Sequence, residues 1–242
     1  GGDAFRMLAE IYGLEEGCSA GKGGSMHLVD RTVGFMGSSA IVGNSVPIGT
    51  GLGQALKLSS RDAISVVYLG DAAVEEGVFF ESMNYAAAAK LPVLFVCENN
   101  HFSVYSDMRM RQPEGRKISE MTSGIGVHST SVSEADPSAM VSALREATEI
   151  CRRDRLPAFV EIETNRFLEH CGPNDDSHLN YRDAESLEKA KDSQVIDAFR
   201  EELEKVGVDT AAFTAEICLE VDAIFELVEA LHSSKSAEVD NA

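Results

Sequence analysis

Positive charge is scarce in this sequence. Lys and Arg total 21 against 40 Asp and Glu, giving a formal net charge of −19 over 242 residues. That balance excludes a general nucleic-acid binder and a protein held on anionic membrane by charge. It still leaves room for a local site that takes an anion. Long apolar runs are missing too: no stretch approaches the ~18 residues needed to cross a bilayer. The N-terminus carries no secretory pattern. The cysteines (Cys18, Cys97, Cys151, Cys171 and Cys218) are odd in number and form no CxxC pair. That argues against a disulfide framework and for reduced thiols, as in a cytoplasm or an organelle matrix. The chain opens on Gly1-Gly2-Asp3 rather than on Met, as a processed or shortened chain would.

What is present is enough for a folded core. Apolar residues make up 44% of the chain, and its length suits one large α/β domain or two small ones. Asp3 suits the N-cap of a helix over residues 4–12, with Phe5, Leu8, Ile11 and Tyr12 on one face. Residues 13–26 are Gly-rich and read as a loop. A second Gly-bearing segment, 38–53, runs into a helix that ends near Ser59, with Pro47 in its first turn. Then strands and helices alternate. Residues 63–69 (AISVVYL) and 92–97 (PVLFVC) are short apolar runs with the character of buried parallel strands, joined by a helix over 77–90. Residues 103–124 are polar and irregular, and concentrate Arg109, Arg111, Arg116 and Lys117. A helix from Asp136-Pro137 to about Arg153 precedes a third strand at 158–163. A polar loop follows over 165–182, then helices near 184–206 and 210–232 and a polar tail. No repeat is visible. The pattern predicts an α/β fold, a doubly wound and mostly parallel sheet flanked by helices, with a helical C-terminal region.

In such sheets ligands sit at the carboxyl ends of the strands. Asp71 closes one buried strand and Asn100 follows the next, with one helix between. A right-handed crossover brings these ends together. A carboxylate and a carboxamide there are hard oxygen ligands, suited to Mg²⁺ with a backbone carbonyl and diphosphate oxygens completing the shell. Singly, each residue is ordinary turn chemistry; the spacing is what carries the signal.

That spacing, Gly70-Asp71-Ala72 followed by Asn99-Asn100, resembles the thiamine diphosphate motif. The surrounding segments GKGGSMH (21–27), AIVGNSVPIGTGLG (40–53), GDAAVEEGVFFESMNYAAAAKLPVLFVCENN (70–100) and TNRFLEH (164–170) are similar to the α subunit of the decarboxylating component of 2-oxo acid dehydrogenases. The pyruvate, branched-chain and acetoin enzymes share this subunit type, and the resemblance covers roughly residues 3–205.

The resemblance implies the thiamine diphosphate-binding fold, with residues 1–206 as the cofactor domain and 207–242 as a C-terminal helix and tail. It implies thiamine diphosphate and Mg²⁺ as cofactors. Asp71, Asn100 and the carbonyl of Phe102 match the metal ligands. The backbone of Gly70, Ala72 and Ala73 matches the part that meets the diphosphate, and that of Ala40, Ile41 and Val42 the part that faces the aminopyrimidine. His170 matches the catalytic histidine that also reaches the diphosphate, with Arg166 and Tyr181-Arg182 fitting the same pattern; His27 falls near the channel. The 103–117 segment resembles a loop that orders with cofactor.

It further implies a β subunit that supplies the activating glutamate, an α2β2 heterotetramer, a lipoyl acyltransferase and a 2-oxo acid substrate. The family's preceding N-terminal segment, with its diphosphate-gripping Tyr-Arg pair, would lie before Gly1. The sequence departs from the pattern at Ala72, where Gly is usual, at Phe102, where Tyr is usual, and at Glu169-His170-Cys171-Gly172-Pro173, where Gly-His-Ser is usual. The last change removes the serine that carries regulatory phosphate in some members. It also keeps open a two-subunit thiamine diphosphate carboligase or decarboxylase that acts on a sugar-like or secondary-metabolite substrate without a lipoyl complex. A non-catalytic subunit is disfavoured by the intact Asp71 and Asn100. A dinucleotide fold is disfavoured because Gly49-Thr50-Gly51-Leu52-Gly53 lacks the G-x-G-x-x-G spacing, and a P-loop because Gly23 replaces its Ser/Thr.

Overall fold

The structure, a computed structural model, describes residues 1–192 and 194–240. They fall into two compact units, residues 1–41 with 200–242, and residues 42–199.

The first unit is built on helix α1 (Ala4–Ile11) packed against the long C-terminal helix α9 (Thr210–Asp240). The Asp3 carboxylate caps α1 by accepting from the Arg6 N–H at 3.0 Å. Ala9, Leu14 and Val228 form the buried centre, with Phe5, Leu8, Tyr12 and Leu231 around it. Tyr12 donates to Glu229 at 3.0 Å, and Lys235 pairs with Glu16 at 2.6 Å. The Gly-rich loop is shaped by one side chain. The fully buried carboxylate of Glu10 accepts from the N–H groups of Ser19 (2.7 Å), Gly21 (2.9 Å) and Gly23 (2.5 Å). Glycine is required at position 21, where φ is +72° and the backbone of Gly13 leaves no room for a Cβ.

The second unit is the sheet. Four parallel strands, β1 (Ser65–Gly70), β2 (Val93–Asn99), β5 (His128–Ser133) and β6 (Ala158–Glu163), lie in the order β1-β2-β6-β5. A two-stranded hairpin of β3 (Phe102–Ser103) and β4 (Ser106–Asp107) follows β2. Helices α2 (Ser45–Leu58), α3 (Gly77–Ala88) and α5 (Ile118–Gly124) belong to one face, where Val67, Phe79, Met83, Phe95, Ile118 and Phe159 form the main core. Helix α6 (Pro137–Glu149) covers the other, over Leu94, Val96, Ala158 and Val160. The expected doubly wound parallel sheet and its helical C-terminal region are therefore present. Helices α4 (Met108–Arg111), α7 (Ala184–Asp192) and α8 (Val195–Lys205) complete the α-helices among the described residues.

Three differences from the sequence reading have physical causes. Strand β5, HSTSVS, has one large apolar residue, Val132, so it shows no apolar run. Helix α5 lies inside the segment read as irregular; its buried Ile118 and Thr122 give only two inward positions. Helix α9 continues to Asp240 instead of ending near 232, held there in part by Lys235 on Glu16.

Helix α2 approaches the sheet more closely than a side chain permits. Gly49 and Gly53, one turn apart on one face, meet Val67 of β1 and Val93 of β2, and a Cβ at either would collide with a valine methyl. Two outcomes are expected. Gly53→Val overpacks this contact, costing about 1–3 kcal/mol, and thermal unfolding should show a melting temperature lower by several degrees. In the first unit, burial pushes the Glu10 carboxyl up, but the N–H groups of Gly23, Ser19, Gly21 and Gly24 together hold it below the ordinary value of 4.5. A depressed carboxyl stabilises the fold above that ordinary value, and the contribution is lost as pH falls through the folded-state value. Glu10→Gln should therefore unfold more easily than the wild type at neutral pH, with the gap closing below about pH 4.5, as denaturant melts across pH 3–7 would show.

Candidate functional site

The site begins with register. In the β1–β2 pairing Leu69 stands beside Cys97 and Gly70 beside Glu98, so the two strands end within one residue of each other. Asp71 follows β1, and Asn99 closes β2 with Asn100 after it. Asp71 is buried, 2% exposed, and opens a 3₁₀ turn over Asp71–Glu75. Strand β3 and the end of β2 pack on that turn. Asn99 is buried and its Oδ1 accepts from the His101 N–H at 3.0 Å. Asn100 is half-buried and its Oδ1 accepts from the Phe102 N–H, also at 3.0 Å. His101 between them takes φ +66°, in the left-handed region. Asp71, Asn100 and Phe102 thus gather at one sheet edge from two adjacent strand ends.

A buried carboxylate requires a positive partner or a full set of donors. Asp71 has Arg111 of α4, whose Nη2 donates to its Oδ2 at 2.6 Å. The same guanidinium pairs with Glu75 through Nη1, and its Nε donates to the Ser106 carbonyl at 3.1 Å. Gln112 adds a hydrogen bond to Glu75 at 2.9 Å. Arg111 is therefore a clamp between the 3₁₀ turn and the β4–α4 segment.

The donor set fits a hard divalent cation. It consists of one carboxylate, one carboxamide oxygen with a second lone pair beyond the Phe102 N–H, and a backbone carbonyl. The guanidinium shows that the position already attracts a cation. Among the described residues no group of three or more His, Cys, Asp or Glu is placed to hold a metal. A metal at Asp71 would take its remaining ligands from neutral or non-protein oxygens. Around it, Gly70 has open space on its Cα, Ala72 is half-buried and Ala73 is buried. The N-terminus of α3, after Glu76, has no side-chain cap.

The loop after β6 forms a second cluster. The Thr164 N–H donates to the Asn99 carbonyl at 2.9 Å, joining this loop to the end of β2. Arg166 Nη2 donates to the Val104 carbonyl (2.6 Å) and to the Tyr181 hydroxyl (2.8 Å). Val104 itself sits at φ +55°, a strained setting for a β-branched residue. Arg182 pairs with Asp176 and donates to the Arg166 carbonyl, and Tyr181 donates to Asp176. Rings of Phe102 and Tyr105 stand edge-on to Tyr181 at 5.5 and 5.1 Å. Burial pushes the Tyr181 hydroxyl up, and donation to Asp176 pushes it further, against the opposing effect of Arg166. Arg182 thus meets the Asp176 carboxylate directly and Arg166 reaches it only through Tyr181, and the Nε atoms of both guanidiniums are buried without a partner. His170 is exposed, with Nδ1 3.4 Å from Arg166 Nη1. Glu169 turns back to accept from the Asn174 side chain at 2.6 Å.

The remaining expected residues are exposed loop positions. Ala40 and Ile41 end the first stretch of one unit, and Val42 starts the other. His27 is exposed in the first unit. Arg111, Glu75 and Glu161 were not singled out from the sequence. Arg111 lies in the 103–117 segment, which is marked as a whole for its charge and its resemblance to a loop that orders with cofactor, with no role for this residue by itself. The signal for Glu161 was a lone acid inside the apolar run AFVEI.

Comparison with known proteins gives this edge a family. The model of the family described as "Dehydrogenase E1 component" matches residues 1–242. The chain is similar to the pyruvate dehydrogenase E1 component subunit alpha of Rickettsia bellii, 33% identical over 235 residues, which is 97% of this chain and 70% of that subunit. It is similar to the Rhizobium meliloti subunit of the same name, 36% identical over 170 residues, 70% of this chain and 49% of that one. The somatic mitochondrial form of Homo sapiens is 32% identical over 185 residues, 76% of this chain and 46% of that subunit. The chain thus spans about half the length of the last two. The adjacent strand ends, their Asp71 and Asn100, and a match over the whole chain agree: this chain belongs to the dehydrogenase E1 component family.

Proposed function

We propose that this chain is the α-type subunit of a thiamine diphosphate- and Mg²⁺-dependent enzyme. It decarboxylates a 2-oxo acid and passes the acyl group to a lipoyl acceptor. A β subunit, in an α2β2 heterotetramer, supplies the glutamate that activates the cofactor. The observation that carries this reading is the buried Asp71 carboxylate at the adjacent ends of β1 and β2, next to the Asn100–Phe102 turn.

Bound thiamine diphosphate supplies an electron sink that lets a 2-oxo acid lose carbon dioxide. The chain's own residues bind, orient and handle protons. Asp71, Asn100 and the Phe102 carbonyl would hold Mg²⁺, and the backbone at Gly70, Ala72 and Ala73 would meet the diphosphate. Backbone at Ala40, Ile41 and Val42 would face the aminopyrimidine. Arg111 would give up Asp71 to the incoming cation and keep Glu75. His170 would act near the reacting atoms. Its Nδ1 faces a donor-only guanidinium and so accepts, which places the proton of the neutral ring on Nε2, the atom available to donate. The surplus positive charge of Arg166 and Arg182 over Asp176 suits the approach of an anionic substrate. Residues 1–206 would make up the cofactor domain and 207–242 the C-terminal helix and tail. A cytoplasmic or matrix location fits this role; among the described residues no helix is long and apolar enough to cross a membrane.

A second reading, a carboligase without a lipoyl acceptor, is favoured by one feature, the Glu169–Pro173 loop folded back on Asn174. One set of measurements tests both. With its β-type partner, the wild type should bind thiamine diphosphate in a Mg²⁺-dependent manner by calorimetry. Asp71→Ala removes the one carboxylate and should weaken that binding by at least about tenfold, the order expected for losing a charged ligand. Unchanged affinity would overturn the assignment of Asp71. Reductive acylation of lipoamide supports the first reading, and product formed only by carboligation supports the second.

A further inference from the structure

The proposed function leaves one buried acid of the sheet unused. Glu161 lies on β6 beside Cys97 of β2 and is 5% exposed. It points to the same face as Phe159, the face that α5 covers. Its carboxylate has two neutral donors. Oε1 accepts from the Asn99 Nδ2 at 2.8 Å, and Oε2 from the Ser119 N–H at 3.0 Å. Ser119 is in the first turn of α5, whose N-cap residue Lys117 offers no side-chain bond. The Asn99 Oδ1 in turn accepts from the His101 N–H. The segment from Asn99 to Ser119 carries the Asn100–Phe102 turn, the β3–β4 hairpin and Arg111. One carboxylate therefore clasps both of its ends.

The chemistry explains why an acid stands there. Burying a carboxylate without a cation is costly, and an amide of the same shape costs less. An amide, however, has one acceptor oxygen, whereas a carboxylate has two and no donor. Only an acceptor pair satisfies Asn99 and Ser119 together. It also fixes which way the Asn99 amide faces. Nδ2 must point to Glu161, so Oδ1 must point to His101. A reversed amide would set a donor against the His101 N–H. That N–H belongs to the left-handed residue between Asn100 and Phe102.

We propose that Glu161 is a positioning residue: through Asn99 it locks the His101 turn that carries Asn100 and Phe102, and through Ser119 it anchors the far end of the Arg111 segment. The link to cation binding rests on the function proposed above; the hydrogen-bond relay does not.

A polarity swap tests the relay. Glu161→Gln alone leaves an NH₂ group facing Asn99 or Ser119. Asn99→Asp alone sets two carboxylates against each other. In the double variant the new amide on β6 would accept from the Ser119 N–H and donate to the new carboxylate at the end of β2. That carboxylate would still accept from the His101 N–H, so every bond is restored at unchanged net charge. The first readout is amide hydrogen exchange on the full chain without cofactor. Glu161→Gln should lose protection at His101 and Ser119 by about tenfold, the order of one buried hydrogen bond, and the double variant should recover it. The second readout is Mg²⁺-dependent thiamine diphosphate binding with the partner present, which should weaken and recover in parallel. A double variant that fails to recover, folded or not, overturns the relay, as does unchanged His101 exchange in Glu161→Gln. Recovery of exchange with no cofactor binding even in the wild type supports the relay and overturns the proposed function instead.

Discussion

The site depends on a parallel pairing whose two strands stop within one residue of each other. Because Gly70 stands beside Glu98, Asp71 leaves the sheet beside Asn99, the last residue of β2. A shift of one residue would turn Asp71 or Asn99 to the opposite face. The apolar strands that fix this register are buried on one or both faces, so the core of the second unit and the placement of its polar edge are the same constraint. Nothing at that edge needs a special backbone before the strands end. Only afterwards do the 3₁₀ turn, the left-handed His101 and the strained Val104 appear.

Three buried acids in this unit are accommodated in three ways. Asp71 has one guanidinium, shared with Glu75. Asp176 has the guanidinium of Arg182 and the Tyr181 hydroxyl, with Arg166 reaching the same hydroxyl. Glu161 has no cation among its hydrogen-bond partners and relies on an amide and a backbone N–H. On the function and the relay proposed above, the differences match their tasks. A carboxylate that is to exchange partners is best held by a side chain from a surface helix such as α4. One that must never move is best held by groups rooted in a strand and a helix start. Cys97 stands beside Glu161, and burial first, then Glu161, Asp71 and Glu98, push its thiol well above the ordinary value.

The sequence made the sheet legible where apolar runs were continuous, as in β1, β2 and β6. It hid β5, whose partly buried positions are Ser129, Thr130 and Val132, because a single large apolar residue makes no run. Asp71 and Asn100 were legible because each follows such a run. Arg111 and Glu161 were not, and the reason is separation along the chain. Arg111 meets Asp71 across 40 residues, and Glu161 meets Ser119 and Asn99 across 42 and 62. A lone acid in a strand indicates that it has partners without indicating which ones. The family resemblance supplied roles for motif positions, but the relay that holds those positions is visible only once the strands are side by side.

Helix α2 illustrates a different consequence, one of coupled folding. Besides Gly49 and Gly53 it contains Gly51, Pro47 and the β-branched Val46, Ile48 and Thr50. Each interior glycine costs about 1 kcal/mol of helix propensity relative to Ala. Little helix is therefore expected from this stretch in isolation. The glycines that weaken it are the ones that let it touch Val67 and Val93, so the helix draws its stability from the surface it covers. Its formation is therefore coupled to the pairing of β1 and β2, and the turn at 42–44 ahead of it depends for its support on that same pairing.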